Sequence, residues 1–165
     1  MKTYLLLPLM FLATCLSQAQ DKKIWADSFL GKQAPPIEIE QWLSDVPDME
    51  GKFVLVDVWA TWCGPCKRAI PKLNKFQQQF EDDLVIVGIT YENARKVRKM
   101  KGPKMKYANG IDTQKRMRKA LNVQGIPHCI LVDPDGRVIW EGFPELSGYE
   151  LTAEVIEDLI AEYQN

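Results

Sequence analysis

Two stretches of the chain are apolar without alternation: Phe53-Val54-Leu55-Val56-Asp57-Val58-Trp59, broken by one acid, and Leu84-Val85-Ile86-Val87-Gly88-Ile89. Strands that are apolar on both faces belong in the middle of a sheet covered by helices. Between them Ile70, Leu73, Phe76 and Phe80 recur at helical spacing, which predicts a helix from about Cys63 to Phe80. Strand, helix and strand of these lengths make a βαβ unit, so the two strands run parallel. Further on, Cys129–Val132 and Val138–Trp140 flank Asp133-Pro134-Asp135-Gly136, turn chemistry that predicts a β-hairpin and hence antiparallel strands. Ser147 and Glu150 read as a capping box, opening a last helix with Leu151, Val155, Leu159 and Ile160 at helical spacing. Residues 20–50, with Pro35-Pro36 and Pro47, read as loops with one short hairpin around Ile37–Trp42. The expected fold class is α/β: a mixed sheet sandwiched between helices, with an N-terminal extension and no internal repeat.

Met1-Lys2 is followed by a nearly unbroken apolar run from Leu5 to Leu16, then by Ser17-Gln18-Ala19 with small residues where a signal peptidase reads. The run is shorter than the ~20 residues a spanning helix needs, so residues 1–19 are expected to be a secretory signal and 20–165 one domain. Cys15, after Leu12-Ala13-Thr14, resembles the lipobox of bacterial lipoproteins, although Thr stands where Gly, Ala or Ser is usual. Lipid on Cys15 would tether the domain to a membrane instead of freeing it. Either route leads to an exported, periplasmic setting in which disulfides persist.

Composition narrows the classes. The 165 residues, 46% hydrophobic, suit a single core, and 10 Gly with 10 Pro exclude collagen-like and wholly disordered chains. A net charge of −1 gives no overall field for nucleic acid, and one histidine excludes a His-rich metal site. Four cysteines are too few to build the fold from disulfides. Charge is nevertheless uneven: eleven basic residues and one acid, Asp112, lie between Arg95 and Lys119, and seven acids with no base follow Arg137. These read as two solvated helix faces, the sharper alternative for the first being a basic docking surface.

Candidate chemistry sits at Trp62-Cys63-Gly64-Pro65-Cys66. Two cysteines separated by two residues, where a buried strand gives way to a helix, are placed for thiol–disulfide exchange. Cys63 falls at the helix N-terminus, where unpaired N–H groups and the helix dipole favour a thiolate, and becomes the nucleophile. Cys66, one turn in and shielded, resolves the mixed disulfide. A free thiol with a pKa near ~8.5 is only a few per cent ionised at neutral pH, so this stabilisation governs the rate. Asp57 interrupts a strand expected to be buried on both faces, so desolvation should raise its pKa and let it take the proton from Cys66. The alternative is an Asp satisfied by a backbone or Lys partner.

Trp-Cys-Gly-Pro-Cys-Lys after an apolar strand carrying an acid resembles thioredoxin, as do Pro71 in the helix and Gly125-Ile126-Pro127. The leader, the N-terminal extension and Gly-Ile-Pro-His…Val-Asp-Pro-Asp-Gly are similar to the exported TlpA/ResA group of thiol–disulfide oxidoreductases. The resemblance covers roughly residues 30–163. It implies a thioredoxin-like fold, a cis Pro127, and an Ile126 backbone that pairs with an extended substrate segment. It also implies that Trp62 covers the disulfide and, with Gly64 and Pro65, contacts substrate. Many members of that exported group use a glutamate elsewhere instead of an acid in the strand, so Asp57 makes this chain more like cytosolic thioredoxin there. The implied partners are protein disulfide substrates and a membrane thiol electron donor, with no cofactor and no nucleic acid. Gly-Pro between the cysteines resembles members that work in the reducing direction.

Other readings compete less well. Cys63, Cys66, His128 and Cys129 offer four zinc ligands, but adjacent strand residues point to opposite faces. Haem attachment needs His after the second cysteine, where Lys67 stands, and a peroxiredoxin would carry Thr or Ser where Ala60 lies. Cys129 is expected to be a buried core thiol, and His128 either a solvent-facing strand residue or a groove contact. The non-enzymatic alternative is a binding module whose Cys63–Cys66 disulfide is structural.

Overall fold

A computed structural model describes residues 24–164. The proposed leader and Cys15 lie outside the described residues. Ten elements follow in chain order: β1 (Gln41–Trp42), β2 (Phe53–Val58), α1 (Gly64–Gln79), β3 (Leu84–Thr90), α2 (Ala94–Arg98), β4 (Ala108–Ile111), α3 (Arg116–Ala120), β5 (His128–Val132), β6 (Val138–Gly142) and α4 (Ala153–Gln164). They build one six-stranded sheet in the order β1-β4-β3-β2-β5-β6. β2, β3 and β4 are parallel neighbours, while β5 and β6 complete the sheet antiparallel to β2 and to each other.

The two unbroken apolar runs are the central strands, and every residue of both is buried. Side chains alternate between two cores. On one face Phe53, Leu55, Leu84, Ile86 and Leu131 meet Ile70, Leu73 and Phe76 of α1 and Ile156 and Ile160 of α4. On the other, Val54, Val56, Val58, Val85, Val87 and Ile130 meet Met117 and Leu121 around α3, with Phe29, Ala34 and Ile37 of the N-terminal extension packed against them. The hairpin between β5 and β6 forms as its turn residues require. The Asp133 carboxylate accepts from Arg137 N at 2.8 Å, and Gly136 occupies φ +83°, where a side chain would be strained.

Two expectations are corrected. Residues 37–42 do not form a hairpin: Gln41 and Trp42 pair antiparallel with Ile111 and Gly110, some seventy residues on, as the short edge strand β1. The last helix does not open on a Ser147–Glu150 box. It begins at Ala153, and the Thr152 hydroxyl accepts from Val155 N at 3.2 Å. Leu151 is buried ahead of the helix, and its inward residues are Ile156 and Ile160, with Val155 and Leu159 half-buried.

The topology brings three loops to one edge. β2 and β3 are parallel, so the residues after Val58 and after Thr90 emerge side by side. β5 runs the other way beside β2, with Val58 opposite His128, so the segment entering β5 arrives at the same edge. Carboxyl ends of parallel strands are where open α/β sheets place their sites.

Candidate functional site

Cys63 ends the β2–α1 loop as the N-cap of α1, and Pro65 lies in the first turn, where its missing N–H costs nothing. Cys63 and Cys66 are joined in a disulfide. The backbone N–H of Cys66 donates to Cys63 Sγ at 3.1 Å, a contact that would stabilise a thiolate once the disulfide is reduced. Both cysteines are almost fully covered, Cys63 at 2% exposure and Cys66 at 1%. Trp59 and Ala60 pack with them, and Tyr91, Val97, Met100, Met105 and Ile126 close the surroundings.

The Ile126–Pro127 peptide bond is cis, and the Ile126 carbonyl oxygen lies 3.7 Å from Cys63 Sγ. Trp62 stands at the surface, 59% exposed, and its indole N–H donates to the Tyr91 hydroxyl at 3.0 Å. Gly64 is half-buried, and a Cβ there would meet Arg68 Nη1 at 3.7 Å, ordinary contact, so space alone does not demand glycine.

Asp57 lies on the α1 face of β2, directly across from Cys129 on β5 and from Gly88 on β3. It is buried, and its partners are neutral: Cys129 Sγ donates to Oδ1 at 3.5 Å and the Tyr107 hydroxyl donates to Oδ2 at 3.3 Å. Loss of hydration pushes its pKa up to about 6, and the two donors only partly counter this. Burial and the charge of Asp57 push the Cys129 thiol and the Tyr107 phenol well up, so both keep their protons and remain donors. Gly88 makes room for this cluster, because a Cβ there would press on Trp59 Nε1 at 3.1 Å and the Tyr107 ring at 3.3 Å.

Sequence reasoning missed Glu92. This buried carboxylate follows β3, accepts from the Thr61 N–H and hydroxyl, and is paired with Lys96. It therefore clamps the loop immediately before Trp62 and Cys63. Burial pushes its carboxyl up, but the bonds from Lys96 and Thr61 outweigh that and hold it below the usual range. The spacing of Glu92 and Lys96 across the N-cap Asn93 was the available signal.

His128 is corrected: it is neither solvent-facing nor a groove contact but buried, at 2% exposure, on the strand face opposite Cys129. Cys129 is a buried free thiol. Among the described residues, no group of three or more His, Cys, Asp or Glu side chains is arranged to hold a metal ion.

Over 72 residues the chain is 36% identical to the thioredoxin-like protein YneN of Bacillus subtilis, covering 42% of each. Over 124 residues it is 25% identical to the thiol-disulfide oxidoreductase ResA of the same organism, covering 73% of this chain and 64% of that one. The aligned segments therefore span less than two thirds of either relative. The solution structure of a thiol:disulfide interchange protein from Bacteroides sp. matches at a TM-score of 0.62 and 25% identity, covering 81% of this chain and 89% of that one. A family model described as Thioredoxin-like matches residues 51–138, from the start of β2 through the β5–β6 turn. That segment is more than half of the chain and holds Asp57, both bridged cysteines and the cis-proline, and the chain belongs to the thioredoxin-like family.

Proposed function

We propose that the chain is a thiol–disulfide oxidoreductase that reduces disulfides in protein substrates outside the cytoplasm. The observation that carries this is a cysteine pair joined at a helix N-terminus, with the Cys66 N–H aimed at Cys63 Sγ. In the reduced protein the Cys63 thiolate attacks one sulfur of a substrate disulfide, forming a mixed disulfide and releasing the other sulfur as a thiol. Cys66 then gives its proton to Asp57 and attacks Cys63 Sγ. The second substrate thiol leaves, and two electrons have passed from the dithiol to the substrate. An upstream dithiol donor, a membrane protein in the reading from sequence, returns the Cys63–Cys66 disulfide to the dithiol.

Trp62, Gly64, Pro65, Ile126 and Pro127 form the substrate-contacting surface in this reading, and the exposure of Trp62 next to Cys63, whose Sγ faces the Ile126 carbonyl, supports it. Residues 1–19 act as the export signal, with a lipid tether through Cys15 as the alternative. A Cys15→Ala variant would then leave the membrane fraction. Among the described residues, no helix is long and apolar enough to cross a membrane.

The first test is the reduction potential of the Cys63–Cys66 pair, taken by equilibration with dithiothreitol or glutathione and followed by tryptophan fluorescence. A value near about −270 mV makes the protein a reductant, and one near about −120 mV makes it a disulfide donor. A Cys63→Ser variant should lose all exchange with a protein disulfide. Retained function in that variant would leave the disulfide a structural one.

A further inference from the structure

Two cations of the basic stretch 95–119 stand over Tyr91, whose ring packs against the cysteine pair. Lys115 Nζ lies 4.9 Å from the centre of the Tyr91 ring, and the Arg118 guanidinium carbon lies 5.6 Å from it. The hydroxyl of that same ring accepts the Trp62 indole N–H. Arg118 Nε also donates to the Val123 carbonyl at 3.0 Å, at the start of the segment that runs into Ile126 and Pro127. The two cations therefore line the surface between the tryptophan preceding Cys63 and the segment whose Ile126 carbonyl faces Cys63 Sγ.

Their charges are also unspent. Lys96 is paired with Glu92, and Arg116 with Asp112, Glu38 and Glu40. Among the described residues, neither Lys115 nor Arg118 is paired with a carboxylate. Lys115 is exposed and Arg118 half-buried. Tyr91 and the Val123 carbonyl hold Arg118 in place, so less side-chain freedom is lost when it meets an anion.

We infer that Lys115 and Arg118 are a docking point for acidic side chains flanking the target cysteine in an extended segment of a partner protein. The inference rests on the exchange function proposed above and supplies its substrate class. Each exposed ion pair contributes on the order of 0.2–1 kcal/mol, so two pairs give about a two- to thirtyfold preference for acidic over basic flanks. Screening should erase that preference as the Debye length falls from ~10 Å at 0.1 M salt to ~3 Å at 1 M.

The test uses the full chain, reduced, with two synthetic disulfide-containing peptides that differ only in Asp-Asp or Lys-Lys beside the cysteine. Each rate is divided by the rate of the same peptide with dithiothreitol, which removes intrinsic differences between the disulfides. The ratio of the two normalised rates is then compared within each variant, so a general loss of activity cancels. The expected ratio is about two to thirty at low salt, falling to near one at 1 M salt. Lys115→Glu combined with Arg118→Glu should invert it. Lys115→Asn should roughly halve it, and asparagine suits the left-handed backbone of position 115, where φ is +58°. A wild-type ratio of one, or a ratio unchanged in both variants, overturns the inference. So does a ratio of one combined with binding to phosphatidylglycerol vesicles that the double variant loses, which would make the surface a lipid contact. No reaction with uncharged 2-hydroxyethyl disulfide overturns the exchange function itself, and the docking point with it.

Discussion

Asp57 and Glu92 are both buried carboxylates next to the loop that carries Cys63, and they are held in opposite ways. Asp57 faces Cys129 from β5, Tyr107 from the segment before β4 and Gly88 from β3, and its hydrogen-bond donors are a thiol and a phenol, with no cation among them. Glu92 meets the Lys96 ammonium and an amide N–H with a hydroxyl from Thr61. Burial raises both; only at Glu92 do the partners overturn it. Asp57 therefore titrates at about 6, where it can hold or release a proton, while Glu92 stays ionised and acts as a strut for the loop. Burial gives a carboxylate the potential to move protons, and the charge of its partners decides whether it does.

The largest effect should come from Asp57→Asn. A positioned proton acceptor contributes at least about 100-fold, so reduction of a protein disulfide should slow by about that factor at pH 7, and an inflection near 6 in the pH–rate profile should vanish. Stability should move the opposite way. The folded pKa of about 6 lies above the ordinary 3.8, so the folded state holds a proton that the unfolded chain has released. The stabilisation is complete below about 4 and is lost as the pH rises through about 6, a change of about 3 kcal/mol. Asparagine carries no such charge, and the variant should gain up to about 3 kcal/mol at pH 8 and nothing at pH 4. Urea unfolding at the two pH values measures this; equal slopes with pH in both proteins would break the contrast with Glu92.

Glu92→Gln should give the next largest effect, on stability more than on chemistry. It removes the ionised partner of Lys96 and weakens the bonds to Thr61, at a cost of about 1–3 kcal/mol at pH 7. The sign with pH is reversed here. The folded pKa lies below the ordinary 4.5, so the contribution is present above that value and is lost as the pH falls through the folded one. Wild type and variant should accordingly converge in thermal melts once the pH has fallen below the folded value. The pH–rate inflection near 6 should survive; its disappearance would assign the proton transfer to Glu92.

These two acids differed equally in how far the sequence revealed them. Asp57 interrupts a run that must be buried, so its peculiarity shows in one dimension. Glu92 sits at a strand end followed by basic residues, which reads as ordinary solvated surface until β2 and β3 place Thr61 above it. The same limit applies to the fold. The long apolar runs of β2 and β3, the helical stripe of α1 and the Asp-Pro-Asp-Gly turn each carry a complete local signal. β4 holds Ala108, Asn109 and Gly110 before its one strong strand former, Ile111, and α2 and α3 have five residues each, too few to show a period. His128 escaped for a different reason: the extension carrying Phe29, Ala34 and Ile37 covers its face of the sheet, and nothing local announces that cover.

The finest test of the comparison is Tyr107→Phe. The ring still fits beside Gly88, so packing is kept, while one of the two donors to Asp57 is lost. A hydrogen bond to a charged group contributes about 1.5–3 kcal/mol, and this one favours the ionised carboxylate, so the inflection near 6 should move to higher pH. Cys129→Ala should shift it the same way, because its S–H is the other donor that favours the ionised carboxylate. A merely structural role for Tyr107 would lower the rate at every pH and leave the inflection where it is. Combining Tyr107→Phe with Asp57→Asn separates the two. If the phenol acts through Asp57, its loss changes the pH profile of the wild type and leaves that of the Asp57→Asn protein unmoved, a coupling that the corresponding cycle with Glu92→Gln should not show.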